Sequence, residues 1–243
     1  MPRSARRALI ERERAAPIHG LDHDDPVMVR ALARTAILER EAVERVRSDP
    51  WEWLTSSVNT LDEAGGTVRP FPARPYLQDV VRLWKQNQLL AIPKSRRMML
   101  SWTMVACCTW LAAYTPNARV AMMARKLGRT EQEGSNGLVW RARFIMEQIP
   151  QRNPLLRPIE TVYTTGRLSF PNGSEIIALG EGPDQARQMG FTAVLADEFG
   201  FWERAYETWI ALKPTIQGGG KITLLSSAYP GTWDAIVHDV LPS

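Results

Sequence analysis

Short unbroken apolar runs alternate along the chain with longer stretches whose apolar residues recur three and four positions apart. The runs Leu89 to Pro93, Arg119 to Ala124, Ala193 to Ala196 and Ile222 to Ser226 predict buried strands. Between them the helical rhythm predicts four helices. One runs from Arg74 through Lys85 with Leu77, Val80, Val81 and Trp84 inward, and a strongly apolar one runs from Trp102 to Tyr114. The others cover residues 128–148, with Leu138, Ile145 and Ile149 inward, and Glu203 to Leu212. Two further strands, Arg167 to Phe170 and Glu175 to Leu179, are joined by the turn signal Pro171-Asn172-Gly173, which predicts a hairpin. Strands separated by helices argue for an α/β fold with a mostly parallel β-sheet sandwiched by helices and right-handed crossovers.

Upstream of this region the pattern changes. Asp25-Pro26 starts a helix that runs to about Arg47, with Val29, Leu32, Ala33, Ala36, Ile37 and Val43 at helical spacing, and Ser48-Asp49-Pro50 stops it. Trp51 to Leu61 predicts a second short helix, and Ala64 to Ala73 a Gly/Pro-rich connector. The expected organisation is a basic, flexible arm at 1–25, a helical appendage with its connector at 26–69, and the α/β domain at 70–243.

Composition narrows the class. Of 243 residues, 44% are hydrophobic and 23% charged, the balance of a chain able to bury a full core. A formal charge of +4 permits a polyanionic partner without requiring one. The only cysteines, Cys107 and Cys108, are neighbours in an apolar stretch, which argues against a disulfide framework and a Cys-based metal site. The longest apolar stretch, Met98 to Tyr114, is too short and too interrupted to span a bilayer, so no membrane partner is expected.

Two stretches carry chemistry. In FTAVLADEFGFW, residues 191–202, an apolar strand ends in Asp197-Glu198. Ligands of open α/β sheets bind outside the carboxyl ends of the strands. Adjacent carboxylates there suit a Walker B site, Asp197 holding Mg²⁺ through water and Glu198 orienting an attacking water. The alternative is a strand running into an acidic turn. The second stretch follows the strand at 89–93 and precedes the apolar helix, as a phosphate-binding P-loop would. Against the pattern G-x-x-x-x-G-K-[ST], Lys94 and Met99 stand at the two glycines, Leu100 at the lysine, and only Ser101 matches. Lys94, Arg96 and Arg97 can still supply positive charge from within the turn, beside a helix N-terminus. The alternative is a basic, solvent-facing turn.

Taken together, these motifs resemble the ATPase domain of the viral large terminase subunit, the motor that packages DNA in tailed phages. Pro93-Lys94-Ser95-Arg96-Arg97-Met98-Met99-Leu100-Ser101 resembles the deviant Walker A of terminases, with the basic residue moved early in the loop. Arg74-Pro75-Tyr76-Leu77-Gln78 is placed like the adenine-recognising Q motif, Leu195 to Glu198 like Walker B, and Leu224 to Gly231 like the coupling motif. Arg187 resembles the arginine before Walker B that reaches a neighbouring subunit's nucleotide as a finger.

The resemblance implies a P-loop NTPase of the ASCE (RecA-like) type that uses ATP and Mg²⁺. It makes residues 94–101 the phosphate grip, with Arg74, Tyr76 and Gln78 on the adenine and Ser101 and Asp197 on the metal. Glu198 and Arg187 become catalytic, and Ser226, Ser227 and Ala228 couple phosphate loss to DNA movement. The implied partners are double-stranded DNA, a homo-oligomeric ring, the portal protein and the small terminase subunit, in the host cell cytoplasm. The C-terminal nuclease domain of the family is expected to be absent after Ser243, so no nuclease activity is expected from this chain. Two other classes stay open: a superfamily-2-like helicase or remodelling ATPase, and a non-hydrolysing assembly or DNA-binding module with a degenerate P-loop.

Overall fold

The computed structural model describes residues 26–62, 65–125, 137–156, 158–184, 190–228 and 232–240. The chain forms two compact units, Met1–Ala42 and Val43–Ser243. Residues 43–69, expected as part of an appendage, thus fall within the larger unit. The basic arm at 1–25 lies outside the described residues.

Helix α1 (Pro26–Ser48) forms as its spacing predicts. Its apolar positions are not all inward, however, because Ile37 is 57% exposed. Helix α2 (Pro50–Ser57) starts where Pro50 can occupy the first turn and the Asp49 carboxylate accepts the Trp51 N–H at 3.2 Å. The predicted second helix ends early. Strands β1 (Asn59–Asp62) and β2 (Thr67–Pro70) pair antiparallel across what the sequence suggested was a helix end and a plain connector. Only Thr60 of this hairpin is buried, so no clear alternation marks it.

Helix α3 (Pro75–Gln86) buries Leu77, Val81 and Trp84. Strand β3 (Leu89–Pro93) leads to helix α4 (Leu100–Tyr114), strand β4 (Arg119–Ala124) and helix α5 (Leu138–Arg152). Then come β5 (Val162–Thr164), β6 (Arg167–Ser169), β7 (Glu175–Gly180) and β8 (Ala193–Ala196). Helix α6 (Ala205–Gln217), β9 (Lys221–Ser226) and α7 (Thr232–Val240) complete the order. Strands β3 to β9 form one sheet in the order β3-β9-β8-β4-β7-β6-β5, parallel from β3 through β7 and antiparallel at the β5–β6–β7 edge. Strand β9 lies between β3 and β8. Strand β3 sits at the sheet edge and is half-buried, not fully buried as its run suggested.

Alternation along the central strands makes two cores. Val120, Met122, Ile176, Ala193, Leu195 and Leu225 face one cluster with α2 to α5. Ala121, Met123, Ile177, Val194, Ala196, Ile222 and Leu224 face the other, closed by Phe199, Trp202, Trp209, Leu212 and Trp233. Helix α4 is apolar all round and buried from Trp102 through Thr109, because it lies between the sheet and other helices. The predicted hairpin turn also closes this helix, since Asn172 Nδ2 donates to the carbonyls of Ala112 (2.9 Å), Ala113 (3.2 Å) and Thr115 (3.3 Å). Among the described residues, no helix is long and apolar enough to cross a membrane.

Candidate functional site

The register brings Pro93, Ser226, Ala196 and Ala124 to one edge of the sheet, at the carboxyl ends of their strands. The two stretches singled out by sequence leave from that edge. Lys94 extends the β3–β9 ladder by one step, its N–H donating to the Ser226 carbonyl at 2.8 Å. The chain then turns outward, and Ser95, Arg96, Arg97 and Met98 are exposed.

Arg97 (φ 63°) and Met99 (φ 59°) adopt left-handed backbone, a conformation that costs a residue with a Cβ about 1–2 kcal/mol. Met99 occupies the place of the second P-loop glycine and keeps the conformation that glycine would favour. Its carbonyl accepts the Thr103 N–H at 2.9 Å and the Thr103 hydroxyl at 2.8 Å. The Tyr76 hydroxyl donates to the Met98 carbonyl at 3.1 Å, tying the α3 N-terminus to the loop. Leu100 is buried in the core, so only its backbone is available to a ligand at the helix N-terminus.

On the facing side, the Asp197 N–H donates to the Met123 carbonyl at 3.0 Å, and its carboxylate is nearly enclosed. Lys94 Nζ lies 2.8 Å from Asp197 Oδ1 and donates to Ser101 Oγ at 2.8 Å. Ser101 Oγ in turn donates to Asp197 Oδ2 at 2.7 Å. Residues far apart in sequence thus meet with a cation between two hard oxygen donors, a setting that suits Mg²⁺. Among the described residues no cluster of three or more His, Cys, Asp or Glu could hold a metal alone.

Glu198 follows in left-handed backbone (φ 57°), half-buried, its N–H donating to Asp197 Oδ1 at 2.9 Å. Two further bonds hold this turn. Trp202 Nε1 donates to the Asp197 carbonyl at 3.1 Å, and the Gly200 N–H donates to Ser226 Oγ at 3.0 Å. No periodicity or motif signals such contacts, which depend on how the turn after β8 folds over β9.

A cavity of about 440 Å³ opens between the loop and the end of β9, bordered by Lys94, Ser95, Arg96, Met98, Ser227 and Ala228. Ser226 does not border it, and its side chain is fully buried at the end of β9. Arg74 and Gln78 are exposed at the start of α3, and of the expected adenine residues only Tyr76 bonds to the loop. Arg187 lies outside the described residues. A larger cavity, about 730 Å³, lies at the opposite strand ends. Among the described residues its only charged lining residue is Arg119, which is paired with Glu175 at 2.7 Å.

No family model matches the sequence. Among solved structures, the large terminase of bacteriophage HK97 is similar at 14% identity and a TM-score of 0.52, over 76% of this chain and 37% of that one. The large terminase ATPase domain of Thermus phage P74-26 is similar at 16% identity and a TM-score of 0.47, over 60% of this chain and 61% of that one. The large terminase of a thermophilic bacteriophage, in complex with ADP, is similar at 12% identity and a TM-score of 0.48, over 64% of this chain and 39% of that one. This chain therefore spans less than two thirds of each of these three structures. In fold, it resembles part of the large terminase of bacteriophage HK97.

Proposed function

We propose that this chain is the Mg²⁺-dependent ATPase motor domain of a large terminase, driving double-stranded DNA into a procapsid. The observation that carries the reading is the meeting of Lys94, Ser101 and Asp197 within 2.8 Å at the carboxyl ends of β3 and β8. Such an edge is where α/β sheets bind ligands.

Ser101 and Asp197 hold Mg²⁺, which when bound neutralises charge on the β- and γ-phosphate oxygens. Lys94 turns from Asp197 to the phosphates, and Arg96 and Arg97, exposed on the loop, add charge around them. The backbone N–H groups of residues 95–101 face the phosphates at the helix N-terminus. Glu198 orients a water in line with the γ-phosphate and accepts its proton, so the products are ADP and inorganic phosphate. Tyr76, Arg74 and Gln78 border the adenine. Arg187 supplies transition-state charge in trans within a homo-oligomeric ring, and Ser227 and Ala228 carry phosphate loss to the DNA-gripping surface. Portal protein and small terminase subunit complete the machine in the host cytoplasm.

Steady-state hydrolysis with and without double-stranded DNA tests the reading, with Glu198→Gln beside the wild type. Loss of the carboxylate is expected to lower turnover by about 10²-fold or more while ATP still binds. Equal turnover in both proteins would remove Glu198 from the mechanism. Salt-dependent DNA binding with no ATP dependence would favour the assembly module instead.

A further inference from the structure

We infer that Ser226 is a positioning residue for Glu198, holding the turn that carries this carboxylate; the role rests on the hydrolytic reading above. Both functions of its hydroxyl are already used: Oγ accepts the Gly200 N–H at 3.0 Å and donates to the Ser227 carbonyl at 2.9 Å. Its carbonyl accepts the Lys94 N–H at 2.8 Å. One fully buried residue at the end of β9 therefore grips the start of the phosphate loop by its main chain and the turn after Glu198 by its side chain.

The fit around Gly200 is close. A Cβ there would stand 2.6 Å from Ser226 Oγ and 3.1 Å from the Trp233 Cβ, so the turn can lie this near β9 only with glycine. Glu198 sits two residues earlier in left-handed backbone, and its carbonyl accepts the Phe201 N–H at 3.0 Å. A left-handed glutamate persists only where its surroundings over-determine it. Releasing Gly200 frees the Phe199–Phe201 turn and lets Glu198 return towards right-handed backbone, swinging its carboxylate away from the attacking water. Displacement of the β9 end would act on Glu198 by the same bond.

The test separates binding from turnover. For Ser226→Ala, turnover is expected to fall by about tenfold or more, since small misplacements of a catalytic group are costly. The KM and Kd for ATP should stay within about threefold of wild type, because the phosphate grip is intact. Gly200→Ala should show the same split. The double variant should lose less than the product of the single losses, because the Oγ collision is gone. Hydrogen exchange over residues 198–202 should rise in Ser226→Ala while β8 keeps its protection. If Ser226→Ala does not fold, Ser226→Cys, which leaves a weaker acceptor at the same point, carries the same measurements.

Wild-type turnover in Ser226→Ala, or a parallel loss of binding and turnover, overturns the positioning role and leaves the motor reading standing. A wild-type protein that binds no ATP overturns both.

Discussion

The loop after β3, residues 94–99, and the turn after β8, residues 197–202, both hold non-glycine residues in left-handed backbone. They are Arg97 and Met99 in the first and Glu198 in the second. Their surroundings differ. Past Lys94 the loop is exposed from Ser95 through Met98 and is tied down by the Tyr76 hydroxyl at Met98. The turn is anchored by Asp197 Oδ1, by the Trp202 indole and by Ser226, with Phe199 fully buried beneath it. On the proposed function, the half that fixes one carboxylate is the anchored one, and the half that wraps phosphates is the exposed one. Lys94 belongs to both, its main chain on β9 and its ammonium on Asp197.

That contrast is sharpest at Lys94. Its side chain is 15% exposed and that of Asp197 13%, so Lys94→Ala strands a nearly buried carboxylate and is expected to cost about 3 kcal/mol of stability. Arg96→Ala, on the exposed part of the loop, should change stability by less than about 0.5 kcal/mol while weakening ATP binding. Denaturant unfolding of both variants separates the two, and equal effects would erase the distinction drawn between the two segments.

Within the anchored turn, Trp202→Phe keeps the ring contact with Phe199 but removes the donor to the Asp197 carbonyl, at an expected cost of about 1 kcal/mol. No change in midpoint would mean that water replaces the indole. On the open side, Met99→Gly relieves a left-handed side chain and adds unfolded-state freedom. These effects oppose each other, so stability should stay within about 1 kcal/mol of wild type. A larger loss would show that the Met99 side chain, which packs against the core, is a structural anchor.

The smallest effect at neutral pH comes from the helix behind the loop. Burial pushes the Cys108 thiol from its ordinary 9.0 up to about 12. Burial, with Cys108 and Asp49 nearby, raises Cys107 well above its ordinary value too. Folding favours the neutral thiols, so their stabilising contribution is complete below pH 9.0 and is lost as pH rises above it, for Cys108 towards about 12. Unfolding midpoints followed across that range should fall, and a Cys107→Ala/Cys108→Ala variant should fall less steeply.

The sheet was legible because its central strands are buried on both faces and read as apolar runs, and because Pro171-Asn172-Gly173 marks a turn with a physical requirement. At Gly173, φ is 81° and a Cβ would stand 2.4 Å from Asn117 Oδ1. The hairpin at β1 and β2 was not legible, since its exposed residues keep no alternation. Strand β5, only three residues long and half-exposed, vanished into a polar region for the same reason. In the site, Asp197 and Ser101 were readable from strand-then-acid and from helix-start spacing. Lys94 was readable as a cation, but its pairing with Asp197 was not, because charge in a turn does not say what it faces. The burial of Ser226 was not readable either, since a strand-end serine can point into the sheet's packing as readily as towards solvent.

The most direct test of the central claim, that Lys94, Ser101 and Asp197 form a Mg²⁺–nucleotide grip, is equilibrium ATP binding with and without Mg²⁺ in wild type and Asp197→Asn. Protein concentration should be varied so that assembly is allowed. The grip predicts Mg²⁺-dependent binding in the wild type and loss of that dependence in the variant. Binding indifferent to both Mg²⁺ and the substitution, or no binding at any concentration, would contradict it.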